Sequence, residues 1–408
     1  MSRLKKWLGK EESPKVPVVK APVKAQAVDR KKSGLKASVI KAVEVDYYRY
    51  LVSKALLLQP EEENDSELPD DRILLDIELA PALARQAEKQ QAKDLFNALQ
   101  EQLFKNVEHK VETRLANLDP TTLDRFTPAV SLMDAVNILN TKAASVARIK
   151  PLLLKHTSLL KNLITTLNRL GMGKKHSDKA LELKDAELCL SSLGVEKLRI
   201  FLPYLIVNEL LKDTGMKFNQ TSRKLWLHVQ ITAEASKALA AQDPAVNESE
   251  AYMMAMLHEL GAIFMLHLVD ECFKESRNEV SALAMEQGAA EVSHQLSDIK
   301  SAVPVLDKLL GLKAPLLSAE IAKRYKLNFF MLANNLEELS RTMAFDDFSP
   351  MARIIAQGRA YSVFKQMYKE SLIDKTQAAG LLNYYQLDTE KIKYLNKQKY
   401  LKVPIMDD

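Results

Sequence analysis

Glycine is scarce in this chain, with 11 in 408 residues, against roughly 7% in average usage. That scarcity, beside abundant Ala, Leu, Lys and Glu, removes the turn punctuation of sandwiches and barrels and favours helices. No stretch alternates β-branched residues between turn signals. The expected fold is therefore all-α, with about ten helices or more and no sheet. Cysteine is nearly absent. Cys189 and Cys272 stand far apart in apolar sequence, which excludes a disulfide framework, gives no structural zinc site by itself, and fits a reducing cytoplasm. Both read as buried thiols acting as small hydrophobes. No run of about 18 apolar residues is evident, so no transmembrane helix is expected, and the N-terminus lacks the apolar core of a secretion signal. Phosphate-cradling glycine loops and nucleophile-elbow motifs are missing too. His258-Glu259 opens the sequence HELGA, but Ala262 stands where a zincin needs its second histidine.

Charge is unevenly spread. The chain carries +5 overall, yet residues 1–42 hold twelve Lys/Arg against Glu11, Glu12 and Asp29, a net of +9, leaving −4 for the rest. A mildly acidic body with a basic tail does not suggest nucleic-acid binding. Residues 11–36 are rich in Pro, Lys, Val and Ala without a helical stripe, so they bury too little to offset ordering entropy and read as a disordered linker. Ahead of them, Leu4, Trp7 and Leu8 fall on one face of a helical turn with lysines opposite. Their two readings are a frayed terminus and a motif docking weakly on a membrane surface or a partner groove.

The remainder divides into a helical region at 43–117, a dense helical body at 118–344 and a helical extension at 345–408. The 3.6-residue apolar spacing predicts helices at 72–117, 129–140, 157–169, 183–193, 195–212, 222–241, 248–269, 280–300, 302–310, 315–324 and 328–343. Asp119-Pro120 stops the first of these. Gly194 reads as a residue just past a helix end, Thr221 or Ser222 as a cap, and Asn247 with Glu250 as a capping box.

One chemical constellation survives. His228 lies on one expected helix, and His258-Glu259 on the following one. Antiparallel packing would join the two histidines, either as packed core residues or as ligands of a metal that wants further carboxylates.

Four stretches, in order, then resemble a known family. LLKNLITTLNRLG at 159–171 resembles a helix ending in an Asn-Ser element, with Asn168 in place and Arg169 for the serine. ALELKDAELCLSSLGVEKLRIFL at 180–202, LWLHVQITAEASKALA at 225–240 and YMMAMLHELGAIFML at 252–266 complete the set. Over about residues 122–340 the chain resembles the HDOD domain, a bacterial signal-transduction relative of the HD phosphohydrolases. The resemblance implies that His228 and His258 match the HD histidines, that Glu259 replaces the HD aspartate, and that only Asp298 offers itself, by position, as the distant aspartate. Asn334-Asn335 fall where a later histidine pair stands. A glutamate is one methylene longer, moving its oxygens by about an ångström, which divalent sites tolerate poorly.

The resemblance thus implies a regulatory protein with no cofactor or metal, acting through contacts with a protein partner of a signalling pathway. It would reside in the cytoplasm, with weak membrane-surface contact through the tail. His228, His258 and Glu259 would form a relic pocket open to a ligand. The alternatives are a metal-dependent phosphohydrolase acting on a nucleotide or cyclic dinucleotide, and a structural assembly protein anchored by its tail.

Overall fold

The computed structural model describes residues 37–58, 76–170, 185–212, 218–341 and 344–400. The docking motif Leu4, Trp7 and Leu8 lies outside them. Among the described residues are sixteen α-helices, two short 3-10 turns and no strand, so the fold is all-α. In order the helices are α1 (Ala37–Val52), α2 (Asp76–Ala116), α3 (Pro120–Phe126), α4 (Val130–Leu139), α5 (Val146–Leu153), α6 (Thr157–Arg169), α7 (Ala186–Lys212) and α8 (Asn219–Ala240). There follow α9 (Glu248–Leu257), α10 (Leu260–Glu286), α11 (Ala290–Asp298), α12 (Val303–Arg324), α13 (Leu332–Ser340), α14 (Pro350–Lys369), α15 (Lys375–Tyr384) and α16 (Thr389–Asn396).

Local chemistry accounts for most boundaries. Asp119 caps α3 by accepting from the Thr122 amide, with Pro120 at the first helical position. The Asn247 side chain accepts from the Glu250 amide at 3.0 Å, which gives the cap half of the expected capping box. Gly194, at φ +70°, breaks α7 into the two helices expected there. Three expectations need correcting. Residues 37–42, read as tail, already belong to α1, because Ile40 is drawn into the core. Thr221 and Ser222 do not cap α8. The helix starts at Asn219, behind the buried ring of Phe218, and both hydroxyl residues are buried within it. The helix expected at 248–269 is instead two helices, broken at His258-Glu259.

A single hydrophobic core draws residues from α1 through α16, so the described parts of the segments at 43–117 and 345–408 pack into the same interior as the body between them. Every residue from Ala251 to Leu266 is buried. Contrary to the sequence expectation, 248–286 is long and apolar enough to cross a membrane, but its most apolar stretch is almost wholly enclosed by protein. It is the central layer of the core. Around it, α8 packs against α9 and α14, while α10 packs against α12 and α2. Arg114 bonds Glu271 at 2.9 Å and Glu275 at 2.8 Å, fixing where α2 lies along α10. Such part-exposed pairs set register more than stability.

Two glycines let backbones touch at the future site. A Cβ on Gly261 would overlap the Ala314 carbonyl and the Ser318 amide of α12. One on Gly358 would overlap Ser236 and the Thr232 carbonyl of α8. The first holds α12 against the start of α10, beside Glu259, and the second holds α14 against α8.

Candidate functional site

The break between α9 and α10 turns His258 and Glu259 inward, towards His228 in the middle of α8. All three are buried, with exposures of 0% for His228, 5% for His258 and 2% for Glu259. The two imidazoles meet edge to edge, His258 Nε2 lying 3.3 Å from His228 Nε2. Each of these nitrogens is 3.5 Å from Glu259 Oε1. The sequence expectation that α8 and the HELGA segment would join their histidines therefore holds.

The proton positions follow from the partners. His258 Nδ1 faces the Ala255 carbonyl at 2.5 Å. A carbonyl only accepts, so Nδ1 carries the proton and Nε2 is bare. His228 must then present N–H at Nε2, which leaves its Nδ1 to accept from Ser362 Oγ at 2.9 Å. Gln366 Nε2 donates to Ser362 Oγ at 3.1 Å and to Tyr47 Oη at 2.7 Å, closing the inner end of the network. Burial holds His258 well down, to about 4, and holds His228 below its ordinary value. Both are neutral at pH 7.

Glu259 has different company. The Tyr48 hydroxyl sits 3.0 Å from one carboxylate oxygen and 3.2 Å from the other, donating to the pair. Arg359 places Nε 3.8 Å from Oε1. Its Nη2 donates to Tyr48 Oη at 3.4 Å and its Nη1 to Glu44 at 2.9 Å. Tyr385 also donates to Glu44, at 2.6 Å. Burial raises the Glu259 pKa, but the hydrogen bond from His228, then the neighbouring imidazoles, and last the Arg359 charge outweigh it, so the carboxyl stays ionised below the usual range. Burial likewise works against the Arg359 charge, yet Tyr48, Glu44 and Glu259 hold it protonated. Tyr48 is pushed up, chiefly by burial and then by Glu259, and remains a donor.

Tyr48 comes from α1, and Arg359, Ser362 and Gln366 come from α14. None was singled out from sequence. The signal was present in α14, where Arg359, Ser362 and Gln366 recur three and four apart in otherwise apolar sequence. Asp298 plays no part. It ends α11 with 70% of its side chain exposed and lies beside Lys300. Asn335 is occupied elsewhere, its amide donating to the Met331 carbonyl and its Oδ1 accepting from Ser349.

His228, His258 and Glu259 are the metal-ligand cluster found among the described residues. Their spacing of 3.3–3.5 Å would suit an ion at about 2.0–2.1 Å from each. The surroundings do not fit one. Both Glu259 oxygens already accept from Tyr48, and a guanidinium lies against Oε1. The nearby carboxylate, Glu44, is bound to Arg359 and Tyr385. A dication held by the triad would lie only a few ångströms from the fixed positive charge of Arg359. Beyond Glu259 lies a cavity of about 220 Å³, bounded by α1, α12, α13, α14 and α15.

The HDOD domain family model matches residues 128–301. The chain contains an HDOD domain. Neither the curated proteins nor the solved structures give a match. The matched segment runs from the residues before α4 to those after α11 and includes His228, His258 and Glu259. Tyr48, Arg359 and Ser362, which close the site, lie outside the HDOD segment on both sides of it.

Proposed function

We propose that this is a non-enzymatic signalling or scaffolding protein, acting through protein–protein contacts of its HDOD domain. The observation that carries this reading is the occupation of Glu259 by Tyr48 and Arg359. A hydrolase of this ancestry needs an open, charged metal face, whereas here two flanking helices seal the carboxylate with a hydroxyl and a guanidinium. The domain then serves as a rigid helical body whose relic site ties α1 and α14 to the α9–α10 break. A shift in either flanking helix would reach the HDOD surface through these bonds. The two buried thiols support residence in the cytoplasm. The basic residues at 1–42 would add only weak, salt-sensitive attraction to an anionic surface.

The second reading, a metal-dependent phosphohydrolase acting on a nucleotide or cyclic dinucleotide, draws support from the 3.3–3.5 Å spacing of the three donors. The cavity weakens it. At about 220 Å³ it is below the roughly 300–1,000 Å³ of ordinary ligand sites and well short of a cyclic dinucleotide.

The test pairs affinity capture with an activity assay, using the full chain, the chain lacking residues 1–36, and the Glu259→Gln variant. One specific protein partner should be recovered with all three, and none should cleave bis-p-nitrophenyl phosphate in the presence of Mn²⁺. Metal-dependent cleavage that Glu259→Gln abolishes would instead establish the hydrolase.

A further inference from the structure

The cavity over Glu259 has a chemical character of its own. Its inner walls are aromatic and apolar. Tyr384 and Tyr385 stand edge to face, with centroids 4.9 Å apart, and Tyr48, Phe348, Leu339 and Pro315 complete the lining. Such walls suit a flat ring. Its polar groups are unequally satisfied. The two lining carboxylates already hold partners, Glu44 Oε1 accepting from Tyr385 and Arg359 and Glu259 from Tyr48. Cations outnumber them in the lining, with Lys41, Arg341 and Arg359 against Glu44 and Glu259. The donors are in surplus. Lys41 lines the mouth, is exposed, and has no partner among the described residues. Arg341 lies across the mouth, paired with Glu337, and a guanidinium in one such pair keeps donors to spare.

Size narrows the occupant. A volume of about 220 Å³ holds roughly seven waters at ~30 Å³ each, which suits one ring with a short substituent and not a dinucleotide. We propose that this cavity is a binding site for a small aromatic acid, a single flat ring seated among the tyrosines with its anionic head at Lys41 and Arg341. The inference rests on the regulatory reading of the relic site and deepens it. Such a ligand would touch α1, α13 and α14 at once and so tighten the flanking segments onto the HDOD body.

The probes are benzoate, its neutral isostere benzamide, and phenyl phosphate, titrated into the full chain by ligand-observed NMR and calorimetry. Two variants accompany the wild type. Lys41→Met removes the free cation at an exposed position, and Leu339→Trp fills the cavity, with circular dichroism reporting its fold. Should Leu339→Trp fail to fold, Lys41→Met still decides. Benzoate or phenyl phosphate, whichever head the site prefers, should bind saturably and outcompete benzamide. Lys41→Met should weaken that binding about tenfold, as expected for one lost charge-assisted hydrogen bond, and a folded Leu339→Trp should abolish it. Absence of saturable binding, equal affinity for benzamide, or indifference to Lys41→Met overturns this inference alone. Release of phenol from phenyl phosphate overturns the regulatory reading, and this inference with it.

Discussion

Arg359→Met is expected to destabilise the protein by about 3–5 kcal/mol, the cost of breaking a buried ion pair from one side. The guanidinium bonds Glu44 at 2.9 Å, lies 3.8 Å from Glu259 and stacks over the Tyr48 ring at 5.7 Å. Its side chain is 16% exposed and that of Glu259 2%, so solvent screening recovers little. Methionine keeps the packing of the stem but strands a buried carboxylate. The double variant Arg359→Met/Glu259→Gln removes that stranded charge and should regain a substantial part of the loss. Urea unfolding midpoints, compared in a double-mutant cycle, measure both. If Arg359→Met costs less than about 1 kcal/mol, or the second substitution adds to the loss, the guanidinium does not hold Glu259.

The second large effect is in pH dependence. His258 is held to about 4 in the folded protein, from an ordinary 6.5. The unfolded chain therefore takes up a proton that the native site refuses. Stability contributed by the neutral imidazole is complete above about pH 6.5 and is lost as pH falls towards 4, by about 3 kcal/mol. His228 is depressed in the same direction and adds to the loss. Glu259 is also depressed and extends the loss to lower pH. Glu234 and Glu250 are raised by burial and oppose this trend in the carboxylate range, so the comparison must be differential. His258→Gln keeps a donor for the Ala255 carbonyl and removes the titration. Between pH 7 and 4 the wild type should lose about 3 kcal/mol more than this variant. Parallel pH profiles for the two proteins would show that the imidazole is not held neutral.

How far the sequence reached depends on the range of the interaction concerned. Helix type and the family resemblance were legible because periodicity and caps are local. Asn247 caps α9 through a residue three positions on, and Gly194 bends α7 through its own backbone. The pairing of His228 with His258 was legible as a possibility, since consecutive helices joined by a short loop can pack antiparallel and bring them together. What the sequence hid was tertiary. Tyr48 and Glu259 are 211 positions apart, and His228 and Ser362 are 134 apart. Nothing in the spacing of either partner announces the other. The α9–α10 break was hidden for a different reason. HELGA continues the apolar pattern without a proline, and only the inward turn of two polar side chains interrupts the helix. Asp298 was chosen by sequence position alone, and the exposed end of α11 shows how weak that warrant is.

If Tyr48 and Arg359, from outside the HDOD segment, hold the Glu259 carboxylate in place of a metal, the protein should retain no ion. Elemental analysis tests it most directly, on full-length protein incubated with Mn²⁺, Fe²⁺, Zn²⁺ and Mg²⁺ and then gel-filtered. Well under about 0.1 ion per chain is expected for every metal, in the wild type and in Glu259→Gln alike. About one or two retained ions per chain, lost in Glu259→Gln or on chelation together with phosphodiesterase activity, would contradict it.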